Sequence, residues 1–67
     1  MTEYQKQAVA QAIDYIVTVT DKQKRLLPCE SLYGDGTRWT ALTRKGFEAV
    51  YNSVKETLVE KNILVEA

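Results

Sequence analysis

Histidine is absent from the 67 residues, and cysteine occurs once, as Cys29. The chain therefore lacks the commonest general base of enzymes, and Cys29 has no imidazole within the chain to activate its thiol. One cysteine excludes an intramolecular disulfide, and a zinc site of the His/Cys type cannot be assembled from one copy. We expect no catalytic residue, no metal and no cofactor, and so a protein that is not an enzyme.

Long apolar runs are also missing. No segment reaches the roughly 20 apolar residues of a membrane-spanning helix, and the N-terminus lacks the pattern of a signal peptide. A lone thiol suits a reducing compartment, so we expect a cytoplasmic protein without membrane contact. Residues 1–67 allow one small domain, and domains of this size commonly need disulfides, a metal, self-association or unusually good packing. Packing and self-association remain as alternatives, and we expect a homodimer.

The formal net charge is zero, which argues against strong nonspecific DNA binding. The charge is uneven, however. Residues 22–45 carry six cationic side chains against two acidic ones, whereas residues 1–21 and 46–67 are each net acidic. This distribution predicts a basic face and an acidic face on one small molecule.

Two segments have the pattern of amphipathic helices. Thr2 and Gln5 fit a capping box, and apolar residues at helical spacing predict a helix to about Thr20, with an extension through Arg25 left open. A second helix is predicted from Thr43, its N-cap, with an apolar stripe that includes Phe47, Val50, Tyr51, Val54 and Leu58.

Between the helices, the pattern favours a β-hairpin. Residues 30–33 and 37–42 flank the turn residues 34–36, whose Gly-Asp-Gly sequence is typical of tight hairpin turns. The apolar residues 63–65 predict a short terminal strand, with an apolar tail against the core as the alternative. The predicted fold is α+β: an N-terminal helix, a β-hairpin, a C-terminal helix and a short strand.

The start of the second helix carries Arg44 and Lys45, where the helix dipole disfavours cations. Such a departure from a local rule often marks function, and free N–H groups beside cations can bind an anion. Arg38, Thr43, Arg44 and Lys45 are therefore candidates for binding a partner or a phosphate. The alternative is a solvated basic surface.

Two further sets of residues are candidates. Trp39 is a candidate contact residue, since tryptophan is enriched at binding hot spots, and Tyr33 is a secondary one; the alternative for both is the core. Lys22, Lys24 and Arg25 are secondary candidates for the basic surface. Their structural alternative is that they complement the dipole at the end of the first helix.

The segment from Thr37 to Phe47 resembles the end of a winged-helix domain. Leu42, Thr43 and Gly46 match the "leucine-threonine-x-x-glycine" step after the last wing strand, with residues 34–36 at the wing tip. The resemblance implies that Arg38 contacts DNA backbone or minor groove. Residues 21–28 are too short for a recognition helix, so the chain is not assigned to this family.

Two functions are consistent with these observations, and a further alternative is an enzyme subunit that contributes no catalytic residues itself. The first is a small non-enzymatic regulator or inhibitor that binds another protein through surface contacts. The second is an accessory DNA-binding protein that uses the basic hairpin and the helix N-terminus. Missing catalytic chemistry and zero net charge favour the first.

Overall fold

The computed structural model describes residues 2–34 and 39–60. These residues form three helices: α1 (Glu3–Gln23), α2 (Cys29–Tyr33) and α3 (Arg44–Glu60). They contain no sheet or hairpin, with 78% of them helical and 2% in strand. The α+β prediction is therefore wrong, and the described part of the chain is a small helical fold.

Helix α1 begins at the predicted capping box. The Gln5 backbone N–H donates to Thr2 Oγ1 at 3.1 Å, and the Thr2 N–H donates to Gln5 Oε1 at 3.0 Å. The helix continues past Thr20 to Gln23 and ends where Lys24 adopts a left-handed conformation, with φ of 60°. It includes five consecutive β-branched residues, 16–20, whose weak helix propensity is outweighed by burial of Ile16 and Thr20.

The first predicted hairpin strand, residues 30–33, is helical. Pro28 precedes α2 with φ of −58°, and its carbonyl accepts from the N–H of Ser31 at 3.0 Å. Proline suits the start of a helix because its fixed φ is already helical and it has no N–H to satisfy. Leu32, within this helix, is buried in the core. Its burial outweighs the strand preference of a segment that is only four residues long.

The second predicted strand is a turn where the structure describes it. The Leu42 N–H donates to the Trp39 carbonyl at 3.0 Å, which closes a tight turn before α3. Residues 35–38 of the predicted hairpin, and the predicted terminal strand at 63–65, lie outside the described residues.

Helix α3 begins as predicted. Its cap is Thr43, whose Oγ1 accepts from the Gly46 N–H at 3.0 Å. Leu42 and Phe47 both pack into the core, as expected of a hydrophobic staple. A Cβ at position 46 would lie 3.3 Å from Leu42 Cδ2, so the absence of a side chain at Gly46 lets Leu42 pack closely over the first turn.

The core joins all three helices to the two connecting segments. Trp39 is at its centre, with its ring 5.5 Å from both the Tyr15 and Phe47 rings, and Phe47 also contacts Tyr33 at 5.1 Å. The Tyr51 hydroxyl donates to the Leu27 carbonyl at 2.8 Å. The buried cluster consists of Ala12, Ile16, Leu26, Leu32, Trp39, Phe47 and Tyr51.

Candidate functional site

Two candidate residues at the start of α3, Thr43 and Arg44, already contact other residues of the chain. Thr43 uses its hydroxyl to cap Gly46, and Arg44 Nη2 lies 3.6 Å from Glu30 Oε1 of α2, with both side chains largely exposed. The Glu30 carboxylate thus offsets part of the unfavourable interaction between Arg44 and the helix dipole. Lys45 is exposed. Arg38, the fourth member of the predicted site, lies outside the described residues.

The secondary basic residues lie at the end of α1. Lys22 is in its last turn, Lys24 is its left-handed cap, and Arg25 follows; all three are exposed. Lys24 Nζ is 3.7 Å from Asp21 Oδ1, a local pair of the kind that contributes little to stability. Their position fits the structural alternative, in which cations complement the C-terminal dipole. Nucleic-acid binding by the basic residues stays a prediction.

The two aromatic candidates belong to the core. Trp39 is 2% exposed. Tyr33 is half-buried, and its hydroxyl donates to the Leu42 carbonyl at 3.3 Å. Packing therefore accounts for both residues, and the Trp39 side chain offers almost no surface to a partner.

Trp39 nevertheless lines a cleft beside α1, with a volume of about 520 Å³. Its indole Nε1 is buried and has no hydrogen-bond partner among the described residues. The sequence pattern did not predict this cleft, because the α1 side chains that line it follow the polar face of the helix. The α1 residues of the cleft are Gln11, Asp14, Tyr15, Thr18, Val19 and Lys22.

A second feature of α1 is apolar and exposed. Ile13 and Val17 are 43% and 42% exposed, and they are neighbours one helical turn apart. Ile13 borders a groove of about 260 Å³ between α1 and α3, lined also by Val9, Val50 and Val54. We call these five residues the apolar flank.

The helical spacing of the apolar residues predicts that Ile13 shares the buried face of α1 with Ala12 and Ile16, so the sequence pattern does not predict the apolar flank. A signal was present in the width of the α1 stripe. The residues that are buried, Ala8, Ala12, Ile16 and Thr20, already form a complete face at steps of four. A second apolar row lies beside this face and consists of Val9, Ile13 and Val17. The two rows together are wider than the stripe that a helix buries against a single core.

The Cys29 thiol lies at the start of α2 and is half-buried. Desolvation raises its pKa above the ordinary value of 9.0, and the nearby Glu30 and Glu48 carboxylates raise it further, while Arg44 lowers it. The thiol is therefore protonated at neutral pH, the unreactive form. In the described ranges 2–34 and 39–60, no three His, Cys, Asp or Glu residues group as metal ligands.

Comparison with protein-family models, curated proteins and solved structures found no match for this chain. None of the helices that the structure describes is long and apolar enough to cross a membrane.

Proposed function

We propose that this chain is a non-catalytic protein-binding module, a small regulator or inhibitor that contacts protein through the apolar flank. The observation that supports this most strongly is the exposure of Ile13 and Val17 beside the groove between α1 and α3. A cytoplasmic location is part of the proposal, supported by the single unbridged cysteine.

The physical reason is the cost of leaving this surface in water. Full burial of an exposed Ile or Val side chain is worth about 1.5–3 kcal/mol. Side chains that are about 40% exposed retain a substantial part of that gain for a partner to use. Contiguous apolar surface beside a groove is typical of protein-interaction sites, whereas single apolar side chains scattered over a surface need no explanation.

The test uses two double variants of α1 that carry the same added charge. Ile13→Asp/Val17→Asp disrupts the apolar flank, and Gln11→Asp/Thr18→Asp places two aspartates on the cleft side of the same helix. Each purified variant and the original chain are immobilised and exposed to lysate, after circular dichroism has shown equal helix content. We expect the original chain and the cleft variant to retain the same protein, and the flank variant to lose it.

Equal retention by all three chains would contradict the proposal, since the apolar flank would then contribute nothing. Loss confined to Gln11→Asp/Thr18→Asp would also contradict it, and would place the binding surface at the cleft beside Trp39.

A further inference from the structure

We propose that the protein bound by the apolar flank is a second copy of this chain, with the two α1 helices packed antiparallel about a two-fold axis. This inference rests on the proposed function, because it assigns an occupant to the same surface. Two-fold dimers are the commonest oligomers, and their interfaces must be complementary to themselves. The exposed residues of α1 meet that requirement.

A single exposed row runs along α1 through the apolar flank. Its members as far as Asp21 follow one another at steps of three or four, so they share one side of the helix. Lys24 is the left-handed cap that directly follows α1. Charged residues are at both ends of the row and small or apolar residues at its middle. In chain order the row is Glu3, Lys6, Ala10, Ile13, Val17, Asp21 and Lys24, all exposed.

The charges of this row are complementary when it is reversed. With the axis between positions 13 and 14, Lys6 lies opposite Asp21 of the partner subunit, and Glu3 lies opposite Lys24 of the partner subunit. Ala10 lies opposite Val17 of the partner subunit, and the two Ile13 side chains meet near the axis. A parallel arrangement would instead place each charge opposite its own copy, which is repulsive.

This register would extend an ion pair that exists within one chain. Asp21 and Lys24 already lie 3.7 Å apart, so Lys6 and Glu3 of the partner subunit would extend the pair into an alternating group of four charges. Networks of this kind contribute more than isolated exposed pairs. The same group forms at both ends of the interface, because of the two-fold symmetry.

The area of the interface indicates its strength. A stable interface commonly buries about 800 Å² on each partner, and the surface of this chain is 4769 Å². One side of α1 is about 32 Å long and about 10 Å wide, which is too small alone. Val50 and Val54 of α3 can add little area, because both are half-buried against the core, so we expect a weak, reversible dimer that depends on concentration.

Charge reversal tests the pairing by sedimentation equilibrium of the purified protein over a range of concentrations. We expect Lys6→Glu and Asp21→Lys each to weaken the dimer about three- to tenfold, and the double variant Lys6→Glu/Asp21→Lys to return close to the original affinity. Glu56→Lys is the matched control, since Glu56 is exposed on α3 away from the row, and it should leave the dimer unchanged.

Disulfide trapping tests the orientation, in a Cys29→Ser background with oxidised glutathione as the oxidant. Ala10→Cys and Val17→Cys chains should cross-link to each other when mixed, because these positions lie opposite. Each alone should not cross-link, because two copies of position 10 are about 10 Å apart along the antiparallel helices. A disulfide needs Cα atoms within about 7 Å. Efficient cross-linking of each position to itself would overturn the antiparallel arrangement.

A monomer at every concentration, or a double variant as weak as the single ones, would overturn the second-copy inference. Neither result bears on the capture of other proteins by the apolar flank, which the Ile13→Asp/Val17→Asp comparison decides separately. Failure of the inference and failure of the proposed function are thus distinguished.

Discussion

Replacement of Thr20 by valine should stabilise the protein, although most substitutions of buried residues destabilise. Thr20 is 2% exposed, and its hydroxyl has no hydrogen-bond partner among the described residues. A buried hydroxyl without a partner costs about 1–3 kcal/mol. Valine has nearly the same shape and the same helix propensity, so Thr20→Val removes this cost and keeps the packing. We expect a gain of about 1 kcal/mol in the free energy of unfolding.

The assay is urea denaturation at low protein concentration, followed by far-ultraviolet circular dichroism and by the fluorescence of Trp39, the single tryptophan. A gain of about 1 kcal/mol corresponds to a melting temperature higher by about 4–8 °C in a domain of this size. Thr18→Val is the matched control, because Thr18 is exposed on the same helix and should change stability by less than about 0.5 kcal/mol. A Thr20→Val protein less stable than the Thr18→Val protein would refute the reasoning.

Three further predictions concern the helix ends and the thiol. Lys24→Gly should raise the free energy of unfolding by up to about 1 kcal/mol in urea titrations, because a residue with φ of 60° is strained unless it is glycine. Thr43→Ala should lower the free energy of unfolding by about 1 kcal/mol, because the hydrogen bond from the Gly46 N–H is lost. Thr43→Ser should retain most of the original stability, because serine keeps the hydroxyl. The raised pKa of Cys29 means that the folded state holds the thiol proton more tightly than the unfolded state does. Below about pH 9 the thiol therefore makes its full contribution to the free energy of unfolding, and this contribution is lost as the pH rises through the pKa of the folded state. The loss should be absent from the alkaline denaturation of Cys29→Ser. Identical alkaline denaturation of Cys29→Ser and the original chain would contradict this prediction.

The two long helices could be predicted because their signals are local. The Thr2–Gln5 capping box and the Thr43 cap each involve neighbouring residues, and both form as expected. The hairpin prediction failed for a tertiary reason. Strand-like residues at 30–33 are short enough to adopt either structure, and burial of Leu32 after Pro28 makes the helix the better solution.

The surroundings of the candidate site depend on contacts between helices, which local sequence patterns do not specify. An exposed cation at a helix start is visible in the sequence, but the Glu30 carboxylate that lies 3.6 Å from Arg44 comes from another helix. Likewise, whether Ile13 is buried or exposed depends on the angle at which α3 packs on α1, and no local pattern specifies that angle. The excess of apolar residues on α1 was the one available signal for the apolar flank.

The central claim is that the apolar flank is a contact surface for protein, and methyl NMR of Ile- and Val-labelled protein tests it most directly. Spectra are recorded in buffer over a range of protein concentrations, which reports contact with a second copy of this chain, and again in cell lysate. We predict shifts or broadening at Ile13 and Val17, with little change at Val59, which is 37% exposed elsewhere on α3, and at Val19 in the cleft. Unchanged Ile13 and Val17 signals, or changes at Val19 alone, would contradict the claim.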